Sequence, residues 1–379
     1  MKHVILVCEG LSDESFDELS GRTPLEVAKT PYLDLLAKKG CLGRASFNPN
    51  SLRASGDVAA LSILGFDPQE FYTGIAPLEA GAMGIEQADQ AIAFRCNLTT
   101  VFDESVIDAA SGNISSRESA LLIEALNKKL SNDQIRFYCG EGFRNLLMIH
   151  DAELSEGLDD LECVPPQSVL GQKFLKNLPK GRAASVILDL IRESKSVLEN
   201  HEINKVRIDL KENPANMVWL WGQGKKPKIP AFRQRYGREG SVFSDVPFVK
   251  GLATTLGLKT SRSLESALEE DDFVFVYFPW TEGKKIDLKL KIKFLEDFDA
   301  HVVGPTQKKL KSEGSFRICV TGDVLTPLAK KTPVHGHVPF LIQGSGFEAD
   351  EFEFFNEKNS LQSKLLFEEG HKLMEFFLK

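Results

Sequence analysis

The sequence predicts an α/β protein: a doubly wound, mostly parallel sheet into which a smaller α/β domain is inserted. Short runs rich in Val, Ile and Phe alternate with helical patterns, as strands covered on both faces require. The chain has 379 residues, more than one hydrophobic core usually holds, so two domains are the default. The middle changes character, with strand patterns around one helix and then a loop-like stretch containing Pro165-Pro166.

His3–Cys8 reads as the first buried strand. It is apolar but short and runs straight into Glu9-Gly10-Leu11-Ser12-Asp13-Glu14, which is not the composition of a signal-peptide cleavage site. Thr23-Pro24-Leu25-Glu26 is a capping box with Pro at the first helical position, and Gly40 stops the helix that it opens. A helix is expected from Asp57 to Leu64. Ala91–Val101 and Ile135–Ile149 carry strand patterns, with a helix at Ser116–Leu130 between them. Residues 154–172 read as loop. Ala183–Asn200 and Val246–Leu256 are helices. Met217–Trp221, Phe273–Phe278, Phe316–Val320 and Val338–Ile342 are strands. Ile286–Phe294 alternates like a strand, yet Ile292, Leu295 and Phe298 suit a helix. The main domain is placed at 1–74 and 181–379, and the inserted domain at 75–180.

Composition narrows the function. A net charge of −8 argues against nucleic-acid or anionic-membrane partners, which need basic surface. No apolar run reaches the roughly 18 residues of a membrane-spanning helix. Six cysteines are scattered without a CxxC pair, as expected of packed thiols in a reducing cytoplasm.

The densest motif is Arg53-Ala54-Ser55-Gly56-Asp57-Val58-Ala59-Ala60-Leu61-Ser62-Ile63-Leu64-Gly65-Phe66-Asp67-Pro68, followed by Phe71-Tyr72-Thr73-Gly74. Further anchors are the run from Gly21 to Pro31, Ala93-Phe94-Arg95-Cys96-Asn97-Leu98, Phe143-Arg144-Asn145-Leu146-Leu147, Gly222-Gln223-Gly224-Lys225 and Val320-Thr321-Gly322-Asp323. In order and spacing this set resembles the archaeal-type, cofactor-independent (2,3-bisphosphoglycerate-independent) phosphoglycerate mutases of the alkaline phosphatase superfamily. The resemblance covers most of the chain. It implies an alkaline-phosphatase-like fold, and it favours helix for Ile286–Phe294. Members of that family interconvert 3-phosphoglycerate and 2-phosphoglycerate. A serine takes and returns the phosphoryl group, and two manganese or magnesium ions activate it and clamp the phosphate.

Placed on the family pattern, the chemistry is missing. The nucleophile position is Gly56, which has no hydroxyl. The metal-ligand positions retain only the acids Glu9, Glu282 and Asp323, while Val324, Ile286 and Pro333 stand where the pattern has histidine. No intact catalytic residue and no bound cofactor are therefore expected. Among the family's substrate-binding positions, Ile75, Trp221 and Glu239 replace basic residues. Arg95, Asn97, Arg144 and Lys331 remain as contacts for a phosphate or carboxylate. The expected function is that of a pseudoenzyme that binds a small phosphorylated ligand or a protein partner. The alternative is an active divergent mutase or metal-dependent phosphoesterase with a displaced metal site that includes His335 and His337.

Plainer readings stand beside these. Ser55-Gly56-Asp57 at a helix start is an anion site through its amides or, the favoured reading, a cap with Ser55 or Asp57 as acceptor. His335-Gly336-His337 is a metal pair on one strand face or, again favoured, a polar turn before the Val338 strand. Arg95 and Arg144 are either ligand contacts or structural partners of acidic side chains.

Overall fold

The computed structural model describes residues 1–280, 287–312, 314–330 and 332–379. In chain order the strands are β1 (Lys2–Cys8), β2 (Cys41–Ala45), β3 (Ile92–Phe102), β4 (Ser105–Asp108), β5 (Ile135–Glu141), β6 (Arg144–Ile149), β7 (Met217–Lys225), β8 (Ser241–Phe243), β9 (Lys259–Thr260), β10 (Phe273–Phe278), β11 (Phe316–Gly322), β12 (Val338–Gly344) and β13 (Leu365–Phe367). They fall into two compact units, one made of Met1–Tyr72 with Ile229–Lys379 and the other of Thr73–Lys228.

The first unit holds an eight-stranded sheet in the order β13-β2-β12-β11-β1-β10-β8-β9. β1 lies between β10 and β11 and is parallel to both, so Cys8 stands level with Phe278 and Gly322. Only β12 runs antiparallel to its neighbours. Every residue of β1 is buried, as its apolar run Val4–Cys8 requires of a strand covered on both faces. Val4, Leu6, Val276 and Val320 share a core with Leu33 and Phe298.

The second unit is an antiparallel sheet, β4-β3-β6-β5, with β7 on the other edge of the β3 ladder. Its core gathers Leu122 from helix Ser116–Leu130, Ile187 from helix Ala184–Glu199, and Trp219 from β7.

Several expectations need correction. Met217–Trp221 is not a strand of the parallel sheet: it pairs antiparallel with β3, Leu220 opposite Cys96. It takes helix Ala184–Glu199 with it, so the second unit runs to Lys228 rather than 180. The single helix expected from Thr23 to Gly40 is two, Pro24–Val27 and Pro31–Ala37. Pro31 lacks the N–H that would continue the first helix, and it drives Thr30 out of helical conformation. Leu288–Phe298 is helical; Ile286 lies outside the described residues.

Buried carboxylates hold this broken segment. The Thr23 capping box is complete. Asp299 caps the second short helix from a distance, accepting from the N–H groups of Leu33 at 2.7 Å and Tyr32 at 3.2 Å. Burial pushes its pKa up to about 6. Glu357 accepts from the Thr23 hydroxyl at 2.7 Å and the Asp13 N–H at 3.2 Å. The residue as a whole is half-buried, but its carboxyl group is sunk between those donors, and burial pushes its pKa up to about 7. Asp13 in turn pairs with Lys291 at 2.6 Å, both side chains buried.

A carboxylate whose folded pKa is raised takes up its proton more readily folded than unfolded. Between about pH 4.5 and pH 7 its contribution to stability therefore falls as pH rises. Glu357→Gln keeps the bond from the Asp13 N–H, replaces the one from Thr23 by a bond that its amide NH2 donates to the Thr23 hydroxyl oxygen, and removes the titration. In denaturant unfolding at pH 5 and pH 8, the variant is expected to gain on the wild type at the higher pH, by up to about 3 kcal/mol. Parallel curves for the two proteins across that range would refute the assignment.

Candidate active site

The C-terminal ends of β1, β10 and β11 meet helix Gly56–Ile63 in the first unit. In an open α/β sheet this is the edge where ligand chemistry gathers. Glu9 follows β1, and its Oε2 accepts from the Trp280 N–H at 2.9 Å. Asp323 follows β11 and is 1% exposed. Its Oδ1 accepts from the Gly10 N–H at 3.2 Å and its Oδ2 from the Tyr277 hydroxyl at 2.7 Å. Burial raises the Asp323 pKa against the pull of these donors. Burial raises that of Tyr277 far above its usual range, and the charges of Asp323 and Glu9 push the same way.

Gly56 opens the helix beneath this pair. A Cβ placed on it would lie 2.7 Å from the Tyr277 hydroxyl and 2.9 Å from Asp323 Oδ2. The space for a side chain at position 56 is thus already filled by a bonded, buried tyrosine and carboxylate. The Tyr277 hydroxyl is the nearest oxygen to that space, but it is a proton donor held by Asp323, with its pKa far above neutrality, and so a poor nucleophile.

The favoured cap reading fails in detail. Ser55 is the N-cap residue, yet no side chain caps the helix. The Ser55 hydroxyl turns back toward the Arg53 carbonyl, 3.5 Å away, and buried Asp57 accepts from the Tyr72 hydroxyl instead. His335 and His337 do not converge. His335 Nε2 lies 2.8 Å from the Leu52 carbonyl oxygen and His337 Nε2 lies 2.9 Å from Glu368 Oε2, in an exposed turn before β12. Among the described residues no three His, Cys, Asp or Glu side chains are placed to hold a metal ion. Glu282 lies outside the described residues, as does Lys331.

In the second unit the retained polar residues are built into the sheet. Arg95 forms a two-pronged pair with Glu79, Nε to Oε2 at 2.7 Å. Its guanidinium lies 4.7 Å from the ring centre of Trp221. The Trp221 ring N–H donates to Asn97 Oδ1 at 3.2 Å. Arg144 stands opposite Asn97 on β6 and lies over the Phe143 ring. Of the two readings of Arg95, this places it beside an acidic partner.

The residues that sequence reasoning missed are Tyr277, Tyr72 and Glu79. One signal was available: Tyr277 is the lone hydroxyl in the apolar strand Phe273–Phe278, near its C-terminal end. Glu79 gave none, because its pairing depends on how helix Ile75–Ala82 lies against β3.

Comparison with known proteins agrees across the whole chain. Residues 37–204 match the family model of 2,3-bisphosphoglycerate-independent phosphoglycerate mutase. A probable 2,3-bisphosphoglycerate-independent phosphoglycerate mutase of Geobacter sulfurreducens is 36% identical, with 100% of each chain covered. A mutase of Methanothermobacter thermautotrophicus is 38% identical over 100% of this chain and 97% of its own. Among solved structures, a Pyrococcus horikoshii protein superposes with a TM-score of 0.78 at 26% identity, covering 100% of this chain and 96% of its own. The cofactor-independent phosphoglycerate mutase from Thermoplasma acidophilum does so at 0.62 and 25% identity, covering 100% and 99%.

Gly56→Ser is expected to cost about 1–3 kcal/mol by overpacking. Tyr277→Phe is expected to cost a similar amount, by leaving Asp323 short of a donor. Combined, the serine hydroxyl enters the space left by the phenol oxygen and donates to Asp323. The double variant should therefore be more stable than the sum of the singles predicts. Strict additivity in urea unfolding would contradict this packing.

Proposed function

This chain belongs to the 2,3-bisphosphoglycerate-independent phosphoglycerate mutase family, and from that premise we propose that it is a member without mutase chemistry, a pseudoenzyme that binds a small phosphorylated ligand. One observation carries the reading. The Tyr277 hydroxyl and the Asp323 carboxylate fill the space above Gly56 where an attacking side chain would have to stand. A glycine cannot accept a phosphoryl group.

The residues present do not suit the family's two metal ions. Asp323 spends both oxygens on protein donors, and Glu9 is bonded to Trp280. A cation there would have to break the Tyr277 bond and recruit ligands from elsewhere. We therefore propose no metal cofactor and derive no step through one. Arg95 and Asn97 are engaged by Glu79 and Trp221, which weighs against either as a phosphate contact. A cytoplasmic location fits six free cysteine thiols; among the described residues no helix is long and apolar enough to cross a membrane. Failure of all phosphate esters to bind would move the role to a protein partner.

A second reading has its own support: relatives at 34–38% identity carry the name of the active enzyme. It requires an active divergent mutase or phosphoesterase on a displaced metal site. The separate engagement of His335 and His337 weighs against that arrangement.

The two readings part in one assay. With 3-phosphoglycerate and manganese, phosphorus NMR is expected to register no 2-phosphoglycerate from the wild type and none from Gly56→Ser. Turnover in the ordinary range of about 1–1000 per second would overturn the pseudoenzyme reading. Recovery in Gly56→Ser alone would mean that the metal-binding chemistry survives.

A further inference from the structure

A cavity of about 590 Å³ lies in the first unit, between the segment Arg22–Asp34 and the segment Phe354–Asn356. Small-ligand sites usually have volumes of roughly 300–1,000 Å³. Its wall contains most of the Gly21–Pro31 motif, which neither the nucleophile nor the metal positions use. Leu25, Ala28, Pro31, Phe354 and Phe355 give it an apolar lining. Phe354 is a large ring left 52% exposed, although its neighbour Phe355 is buried.

The wall is braced by contacts within the protein. The Thr23 capping box, the two helix-opening prolines and the cap from Asp299 fix the segment.

The charges on this wall are unequal in what they have left to offer. Glu26 is spent on the Thr23 N–H at 2.9 Å. Asp34 accepts from the backbone of Phe355 and feels the charge of Lys38. Arg22 uses only its Nε, on the Leu19 carbonyl at 3.1 Å. Lys29 uses only its backbone N–H, on Glu296 at 3.1 Å. Among the described residues neither cation has an ion-pair partner. An apolar floor beside two uncommitted cations complements one class of molecule.

We infer that this cavity binds a small organic anion, with an aromatic or aliphatic body against Leu25, Ala28, Pro31 and Phe354 and its carboxylate or phosphate held by Arg22 and Lys29. It shares no residue with the Gly56 site, so its failure would leave the family-based reading untouched.

The test is calorimetric titration of the full chain with 3-phenylpropionate and with phenyl phosphate; 3-phenylpropylamine and inorganic phosphate serve as controls. Both aromatic anions are expected to saturate at millimolar concentration or below, and both controls to fail. A preference between the two anions identifies the head group. The double substitution Arg22→Gln with Lys29→Gln, both at exposed positions, is expected to weaken binding about tenfold or more with an unchanged melting curve. Ala28→Trp, which fills the cavity, is expected to abolish it. Equal binding of the amine, undiminished binding to the double variant, or no saturation by either anion would overturn the inference.

Discussion

The hydrogen bond between Tyr277 and Asp323 is the constraint around which the C-terminal edge of the parallel sheet is arranged. β10 and β11 flank β1 in parallel register and so deliver both side chains to one place. A carboxylate sealed from water is costly unless donors surround it. Here the donors are a phenol and the Gly10 amide, both supplied by the protein. The same bond fills the volume above Gly56. Residue 56 can open its helix without a side chain, and Tyr277 can be a full-sized ring, because each makes room for the other.

The second unit follows the same principle. A half-buried guanidinium is tolerable when a carboxylate matches it in a fork, and Arg95 has Glu79. Trp221 then covers the guanidinium face and ties down Asn97 through its ring N–H. Three residues that could have faced a ligand instead satisfy one another. This gives the β3–β7 ladder a polar cluster paired within the second unit.

Farther from the site, carboxylates act as staples. Asp299 and Glu357 fasten a segment that two prolines have broken into short helices, pieces too short to be stable alone, and Asp13 gives Glu357 its N–H while its own carboxylate pairs with Lys291. Their amides and hydroxyls find partners hundreds of residues away in sequence. Glu357 and Asp299 carry raised pKa values because burial opposes their charge, so this segment is linked to pH near neutrality.

Much of this was written in the sequence by itself. The apolar runs of β1, β10 and β11 announce buried strands because their side chains have nowhere polar to go. Gly56 leaves position 56 without a hydroxyl by composition alone, and the order of the motifs assigns the family. Tertiary structure alone decided which carboxylate meets which donor. Asp57 turned to Tyr72 rather than capping its helix, Asp323 met Tyr277, and the two histidines before β12 went to separate acceptors. It also moved β7 into the second sheet, since an apolar run declares that it will be covered but not by which strand. Periodicity is a local property and survives in the sequence. Pairing between distant polar groups depends on distances that exist only once the chain has folded.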